Sequence, residues 1–193
     1  MKMNSQLETN LRQVFKYFNR FMLLNWRLGL GPWISFWPEG FGQFMVITHT
    51  GRKTGLRRRT PVNFARVGGE VYCTVGFGPV TDWYRNIMQN PEVEVWLPEE
   101  RWSAIAEDVS DCPERLPLLR EVIRGSGFAG RLFGIDANRL SDEALDEVSR
   151  NYRLVHLRRR TPLTGPGGPG DLAWVWPLAT LLLLPPALRR RRR

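Results

Sequence analysis

A cationic segment that contains two glycines is the part of the sequence with the clearest chemical character. It runs from Thr48 to Pro61 and reads THTGRKTGLRRRTP. Glycine tolerates positive φ, so Gly51 and Gly55 are expected to turn the chain and leave amide N–H groups uncovered. Arginine and lysine around such amides would suit a phosphate, because charge-assisted bonds to its oxygens are short and strong. The alternative from this segment alone is a solvated basic hairpin.

The elements around this segment predict a hairpin. The apolar run Phe44 to Ile47 leads into it and the alternating residues Val62 to Val67 lead out, which indicates strand, cationic turn and strand. A P-loop is excluded, since it needs four residues between its glycines and then Gly-Lys-Ser/Thr before a helix.

Two further motifs follow along the chain. The sequence VYCTVGFG, from Val71 to Gly78, predicts a strand that ends in a glycine-bearing loop. Thr81 or Asp82 can cap a short helix, which Asn90 and Pro91 end. The alternating sequence VEVWL, from Val93 to Leu97, predicts another strand.

In this order, TGRKTG…TP, GFG…DWYRN and NPEVEVWL resemble the deazaflavin (F420)-dependent nitroreductase and F420H2-dependent quinone reductase family. The match runs from about Phe44 to Val109, with a looser continuation to Leu157. The resemblance implies an α+β fold, a split β-barrel of about six antiparallel strands with flanking helices. It further implies an oxidoreductase that transfers a hydride from reduced coenzyme F420 to a quinone, a nitroaromatic compound or a similar planar acceptor.

The resemblance also implies which residues bind the cofactor. Arg52, Lys53 and Thr54, with Arg58 beyond them, match the turn that holds the phosphate-bearing tail. The other expected contacts are Arg59, Thr60, Pro61, Val62, Asn63, Thr74, Val75, Gly76, Phe77, Asp82, Trp83, Tyr84, Arg85 and Asn86. Thr60 and Pro61 are expected near the ring system, where Phe77 and Trp83 offer flat apolar surface. For Trp83, a core position under the helix is the alternative.

The sequence departs from the family pattern at two places. Many relatives carry a lysine in the loop after the third strand, where this chain has Gly76-Phe77-Gly78. Arg57, Arg59 or Arg85 could substitute for that cation. Better-known nitroreductases also place tyrosines where this chain has Gly127 to Gly134, so the proton donor and the catalytic residues stay unassigned.

Composition excludes several other classes of function. Net charge is +9, but five of these charges belong to Arg189–Arg193, which leaves +4 for the rest. We find no recognition-helix, zinc or ribonucleoprotein signature for nucleic acid binding. Two cysteines and two histidines without Cys-x-x-Cys spacing predict no metal site. His49, at the end of a predicted strand, is interpreted as structural, with a cofactor contact as the alternative.

The chain divides into four predicted parts. Residues 1–28 form an amphipathic helix that packs on the barrel or, alternatively, lies on an anionic membrane. Residues 29–160 form the barrel, with further strands at Trp102 to Val109 and Tyr152 to Leu157 and helices beginning near Pro113 and Ser141. Residues 161–171 are a Gly/Pro-rich linker. Residues 172–193 are an apolar tail ending in arginines, which we expect to associate with the cytoplasmic face of the plasma membrane rather than to cross it.

These features leave three functional hypotheses. The first is a cytoplasmic F420-dependent reductase with a small planar acceptor. The second is a split-barrel reductase that binds FMN. The third is a non-catalytic, membrane-associated protein that carries a cofactor or lipid. A homodimer that pairs through a sheet face is expected because split barrels often pair in this way, and no particular residue of this sequence indicates it.

Overall fold

Six antiparallel strands close into a barrel in the computed structural model, which describes residues 17–32, 42–127, 136–164 and 170–190. The strands are β1 (Phe44–Thr50), β2 (Arg57–Val67), β3 (Glu70–Val75), β4 (Glu92–Trp96), β5 (Arg101–Asp108) and β6 (Arg153–Thr164). They pair in the order β1-β2-β3-β6-β5-β4, and β4 pairs with β1 to complete the barrel. The predicted fold class is confirmed.

The helices follow the positions that the sequence indicates. They are α1 (residues 17–27), α2 (Asp82–Gln89), α3 (Arg115–Gly125), α4 (Asp142–Val148) and α5 (Val175–Arg190). Ser141 is the N-cap of α4, where its hydroxyl accepts a hydrogen bond from the Ala144 N–H at 3.3 Å. Residues 1–16, most of the predicted connection 29–44 and the tyrosine-free segment 128–134 lie outside the described residues.

Alternating strand residues fill the barrel interior. Met45 and Ile47 of β1, Val93 and Val95 of β4 and Trp102 of β5 are buried together. Successive strand residues point to opposite faces, so the period-2 pattern of the sequence places these side chains inside. Helix α2 covers one end of this core with Tyr84 and Ile87.

Helix α1 packs on the outer face of β1, as expected for the N-terminal segment. Met22 and Trp26 are buried against Phe44, Val46 and Trp96. The Trp26 indole N–H also donates a hydrogen bond to the Trp96 carbonyl at 3.2 Å. This contact places one face of α1 beside the barrel opening described below.

Strand β2 is longer than predicted, because it begins at Arg57 rather than near Val62. The predicted turn is therefore restricted to the residues between Thr50 and Arg57, and Pro61 lies within the strand opposite Val46. The Phe64 N–H donates toward β1, to the Gln43 carbonyl, so the Pro61 nitrogen lies on the opposite edge. A proline on that edge removes no ladder hydrogen bond.

Strand β6 likewise extends to Thr164, four residues past the predicted end of the barrel at 160. It stays paired because irregularities in the β5 register let Trp102 lie opposite Pro162 and Arg101 opposite Thr164. Beyond residues 165–169, the chain returns to α1, where the Leu172 N–H donates to the Arg27 carbonyl at 2.7 Å. Within the described ranges, no helix has the length and apolar character needed to cross a bilayer.

Candidate functional site

The divergence of β2 from β3 opens a cleft in the barrel wall. Residues 64–67 of β2 pair with β3, whereas in the described structure residues 57–63 pair with β1 alone. The end of β3 turns instead toward β6, where Val75 pairs with Arg153. The cavity between the two strands has a volume of about 750 Å³, which lies within the range of small-molecule sites.

Most of the residues predicted to contact a cofactor line this cleft. They are Arg58, Arg59, Thr60, Pro61, Val62, Asn63, Thr74, Val75, Gly76, Phe77, Asp82, Trp83 and Asn86. The unpaired half of β2 forms one wall, and the end of β3 with the first turn of α2 forms the other. Trp83 lines the cleft and also packs partly on the barrel core.

Five predicted contacts do not line the cleft, namely Arg52, Lys53, Thr54, Tyr84 and Arg85. Residues 82, 83 and 86 share the cleft-facing side of α2, so helical geometry turns Tyr84 and Arg85 away. The Tyr84 hydroxyl bonds Asp108 beneath the helix. The Arg85 guanidinium donates to the Pro79 carbonyl at 3.1 Å.

The glycine turn does not present a row of free amides, which corrects the sequence-based expectation. The Gly51 N–H donates to the Leu56 carbonyl at 2.9 Å, and the Gly55 N–H donates to the Gly51 carbonyl at 2.8 Å. Only Gly55 of the two has positive φ, at +65°. A Cβ at Gly51 would lie 2.9 Å from the Nε of the flexible Arg58 side chain and 3.3 Å from the Leu56 carbonyl oxygen, so a larger residue there would require Arg58 to move. The turn therefore closes on itself and packs under Arg58.

Arg52 joins the turn to helix α2. Its guanidinium donates to the Asp82 carboxylate at 2.7 Å, the Asp82 carbonyl at 3.2 Å and the Asn86 Oδ1 at 2.9 Å. Its backbone N–H also donates to the Asn86 Oδ1, at 3.1 Å. The hydrogen bond from Arg52 is the main reason that the pKa of Asp82 is lowered. Arg52 thus neutralises an acidic group at the cleft and holds the α2 wall in place.

Two arginines on neighbouring β2 positions face the cleft in different ways. Arg58 is exposed, and its guanidinium has no ion-pair partner in the described parts of the chain. Arg59 pairs with Asp171 at 3.0 Å and lies 5.7 Å from the centre of the Trp96 ring. Asp171 in turn pairs with Arg27 at 3.1 Å. The C-terminal segment therefore engages one of the two β2 arginines that line the cleft, and Arg58 is available to an anion.

His49 lies behind the cleft wall with 3% of its surface exposed. Its Nε2 is 3.1 Å from the Thr60 hydroxyl, and its Nδ1 is 3.3 Å from the Asn86 amide nitrogen. Burial lowers the pKa of His49 to about 4, partly opposed by a hydrogen bond with the Thr50 backbone, while the charge of Arg58 lowers it further. The ring is therefore neutral at pH 7.

The cleft also contains residues that the sequence reasoning did not select. Helix α1 contributes Phe18, Asn19, Arg20 and Leu23, and the opposite side contributes Ile123, Ser126 and Tyr152. Tyr152 was predicted only as the first residue of a strand, and burial raises its pKa. The sequence showed the helical periodicity of α1, but it did not show which opening of the barrel α1 packs beside. Within the described ranges, no group of three or more His, Cys, Asp or Glu side chains could hold a metal ion.

Residues 37–126 match the profile of the F420H(2)-dependent quinone reductase family. The resemblance predicted from the three motifs is therefore confirmed, and the family named is one of oxidoreductases.

Solved structures with a similar chain path share little sequence identity with this protein. A candidate 5-nitroimidazole antibiotic resistance protein from Bacteroides thetaiotaomicron is 16% identical, with a TM-score of 0.46 over 63% of this chain and 75% of that chain. HutZ, a heme storage protein from Vibrio cholerae, is 14% identical, with a TM-score of 0.42 over 64% and 88%. A protein described as an F420 reductase is 18% identical, with a TM-score of 0.43 over 64% and 90%. All three TM-scores lie below 0.5, so these likenesses carry no functional inference.

The contacts of Arg52 predict that it is needed for stability, whereas Lys53 is not. We expect Arg52→Gln to lower the free energy of unfolding by about 1–3 kcal/mol, because three guanidinium hydrogen bonds to α2 are lost, while the backbone N–H of residue 52 still donates to the Asn86 Oδ1. Lys53→Gln, at the exposed next position, should change it by less than about 0.5 kcal/mol. Urea unfolding of the two variants checks this. Equal stability in both would contradict the structural role of Arg52.

The neutral, buried His49 predicts a pH dependence of stability. Its pKa is about 4 in the folded protein, against about 6.5 for an unperturbed histidine. Between these values the unfolded chain binds more protons, so stability rises with pH. The free energy of unfolding should therefore increase between pH 4.5 and pH 7 by about 2–3 kcal/mol more in the wild type than in His49→Gln. Urea unfolding of both proteins at the two pH values gives this difference, and parallel pH profiles would count against it.

Proposed function

We propose that this protein is an F420-dependent oxidoreductase that transfers a hydride from the reduced deazaflavin to a quinone, a nitroaromatic compound or a similar planar acceptor. The observation that carries the proposal is the cleft between β2 and β3. Its β2, β3 and α2 walls lie within the region that matches the F420H(2)-dependent quinone reductase family. They combine flat apolar surface with an arginine, Arg58, that has no ion-pair partner among the described residues.

The walls of the cleft suit a planar heterocycle. Phe77 and Trp83 supply aromatic surface on the side of β3 and α2. On the facing side, the free edge of β2 directs the backbone groups of Arg59, Pro61 and Asn63 away from β1, because Phe64 bonds toward β1. A ring bound there would contact polar groups along one edge and apolar side chains on its faces, which is the usual composition of a cofactor site.

The charge at the cleft suits an anionic tail. Arg58 would bind a phosphate or carboxylate, since its guanidinium is exposed and a fork of N–H donors matches such groups. Arg59 would add a second contact if the ligand competes with Asp171 for it. Because Arg52 neutralises Asp82, the acidic group at the cleft repels an anion less than its charge alone would suggest.

The chemistry divides between coenzyme and protein. Reduced F420 supplies the hydride, while the residues of this chain bind, orient and exclude water. Leu23 of α1 and Ile123 of α3 add apolar surface to the same cleft, beside Tyr152. These residues would form the acceptor side. Tyr152 is a candidate source of a proton, since a tyrosine phenol is protonated at neutral pH and burial raises its pKa further.

Titration of the purified protein with F420 and with FMN tests the cofactor, followed by fluorescence quenching. We expect F420 to bind and to be preferred over FMN. Arg58→Gln should weaken F420 binding roughly tenfold to a hundredfold, because it removes charge-assisted hydrogen bonds to the tail. Arg57→Gln is the matched control, since Arg57 pairs with Glu94 outside this cleft.

Each outcome of the titration has a distinct meaning. Equal affinity of the Arg58 and Arg57 variants would contradict the anion site, and tighter binding of FMN would favour an FMN reductase. Binding of F420 without oxidation of its reduced form by any quinone or nitroarene would favour the non-catalytic carrier.

We also propose that the C-terminal segment attaches the protein to the cytoplasmic face of an anionic membrane. Leu181, Leu182 and Leu183 of α5 are 72%, 71% and 67% exposed, so apolar side chains surround that part of the helix. Water disfavours such a surface, and burial in the acyl boundary of a bilayer removes it. The five arginines at 189–193 complement anionic headgroups.

A second exposed apolar surface lies on α1, next to the start of α5. Tyr17, Phe21 and Leu24 recur at helical spacing and are 68%, 60% and 49% exposed. The Trp176 indole N–H donates to the Leu28 carbonyl at 2.8 Å, which holds the two helices together at this point. Since α1 also lines the cleft, a membrane-bound protein would have its acceptor side close to lipid-soluble quinones.

Sedimentation with vesicles tests the attachment. The full-length protein should bind vesicles that contain phosphatidylglycerol, and binding should fall with added salt. The affinity for vesicles should fall at least about tenfold in the double variant Leu181→Asp/Leu182→Asp. Val148→Asp, at an exposed apolar position of α4, should bind like the wild type. Unchanged binding in the double variant, or no vesicle binding by the wild type, would exclude this attachment.

A further inference from the structure

A chain of hydrogen-bonded side chains runs from the glycine turn to the wall of the cleft. It begins at Arg52, passes through Asn86 and His49, and ends at the Thr60 hydroxyl. Asn86 and His49 are buried, with 4% and 3% of their surfaces exposed. Buried polar side chains in such a series constrain one another, because each donor needs an acceptor.

Arg52 determines the orientation of the Asn86 amide. Both the backbone N–H and the guanidinium of Arg52 donate to the Asn86 Oδ1, at 3.1 and 2.9 Å. The amide oxygen therefore faces Arg52. The amide N–H₂ of Asn86 faces His49, with its nitrogen 3.3 Å from Nδ1.

The orientation of Asn86 then determines the tautomer of His49. An amide N–H₂ group is only a donor, so Nδ1 must present its lone pair. A neutral imidazole carries one proton, which then lies on Nε2. Nε2 is 3.1 Å from the Thr60 oxygen, so His49 donates to Thr60 rather than accepting from it.

The strand register places Thr60 where this bond can form. Ile47 lies opposite Thr60 and His49 lies opposite Arg58, so His49 and Thr60 are diagonal neighbours on the same face of the sheet. The Thr60 oxygen accepts from His49, and its own proton has no acceptor in the described residues. Thr60 also lines the cleft. The hydroxyl proton is thus available to a group inside it.

We propose that Arg52, Asn86 and His49 are positioning residues that hold the Thr60 hydroxyl as a hydrogen-bond donor to an acceptor atom of the molecule bound in the cleft. The ligand class is a planar heterocycle or quinone with a carbonyl oxygen or an unprotonated ring nitrogen at that position. The identity of that molecule rests on the proposed function, whereas the direction of the hydrogen bonds does not.

The tautomer of His49 tests the chain without any ligand. The full-length protein labelled with ¹⁵N-histidine has two imidazoles, and His156→Gln removes the signals of the other. Long-range ¹H–¹⁵N spectra at pH 7.5 should show His49 with its proton on Nε2. In Asn86→Asp the carboxylate would accept from the ring, so the proton should move to Nδ1. His49 also has a hydrogen bond with the Thr50 backbone, so a wild-type ring that donates this bond from Nδ1, with Nε2 unprotonated, would overturn the proposal.

The affinity for F420 tests whether Thr60 donates to the ligand. Thr60→Val removes the hydroxyl with little change of shape and suits a strand, and it should raise the dissociation constant about fivefold to twentyfold. Thr60→Ser keeps the hydroxyl and should stay within about twofold of the wild type. Thermal unfolding followed by circular dichroism shows whether both variants fold.

The two experiments separate this inference from the proposed function. If the wild type fails to bind F420 while His49 has its proton on Nε2, the proposed function is wrong and the hydrogen-bond chain is supported. If F420 binds the wild type and Thr60→Val equally, the donor role of Thr60 is excluded.

Discussion

The unpaired edge of β2 is the feature on which the rest of the structure depends. Within the described residues, 57–63 pair only with β1, and pairing with β3 begins at residue 64, so more than half of this strand has no strand partner on one side. A free edge inside a barrel is unfavourable unless something occupies it, since backbone groups without partners lose their hydrogen bonds to water on burial. Pro61 reduces this cost by placing no N–H on the free edge. A ligand that supplies hydrogen-bonding groups would satisfy the remaining backbone.

The basic residues around the turn act in separate ways, although the sequence presents them as one cluster. Arg52 is bound to α2, Arg57 to Glu94 and Arg59 to Asp171, whereas Arg58 faces the cleft without an ion-pair partner in the described structure. Alternation along β2 explains why Arg57 and Arg58 differ, because adjacent strand residues point to opposite faces. A ligand anion therefore meets a smaller and more localised charge than composition suggests.

The barrel and most of the cleft could be predicted from sequence, because three motifs in order resemble a known family and that resemblance implies both. Local patterns indicated individual strands, whereas the contact residues Arg58–Asn63 and Thr74–Phe77 came from the resemblance. The role of Arg52 could not be predicted, since its partners lie 30 and 34 positions away and meet it only after the barrel closes. The same limit applies to His49, whose environment depends on Asn86 and Thr60 together. It also applies to Tyr152, which lines the cleft just before β6 begins. These contacts depend on tertiary pairing, which no short pattern encodes.

A crystal structure of the full-length protein soaked with F420 measures the central claim most directly. We expect the ring system between the free edge of β2 and the Phe77–Trp83 wall, with the anionic tail in contact with Arg58. A deazaflavin bound elsewhere on the surface, with the cleft between β2 and β3 closed or filled by the protein's own side chains, would contradict it.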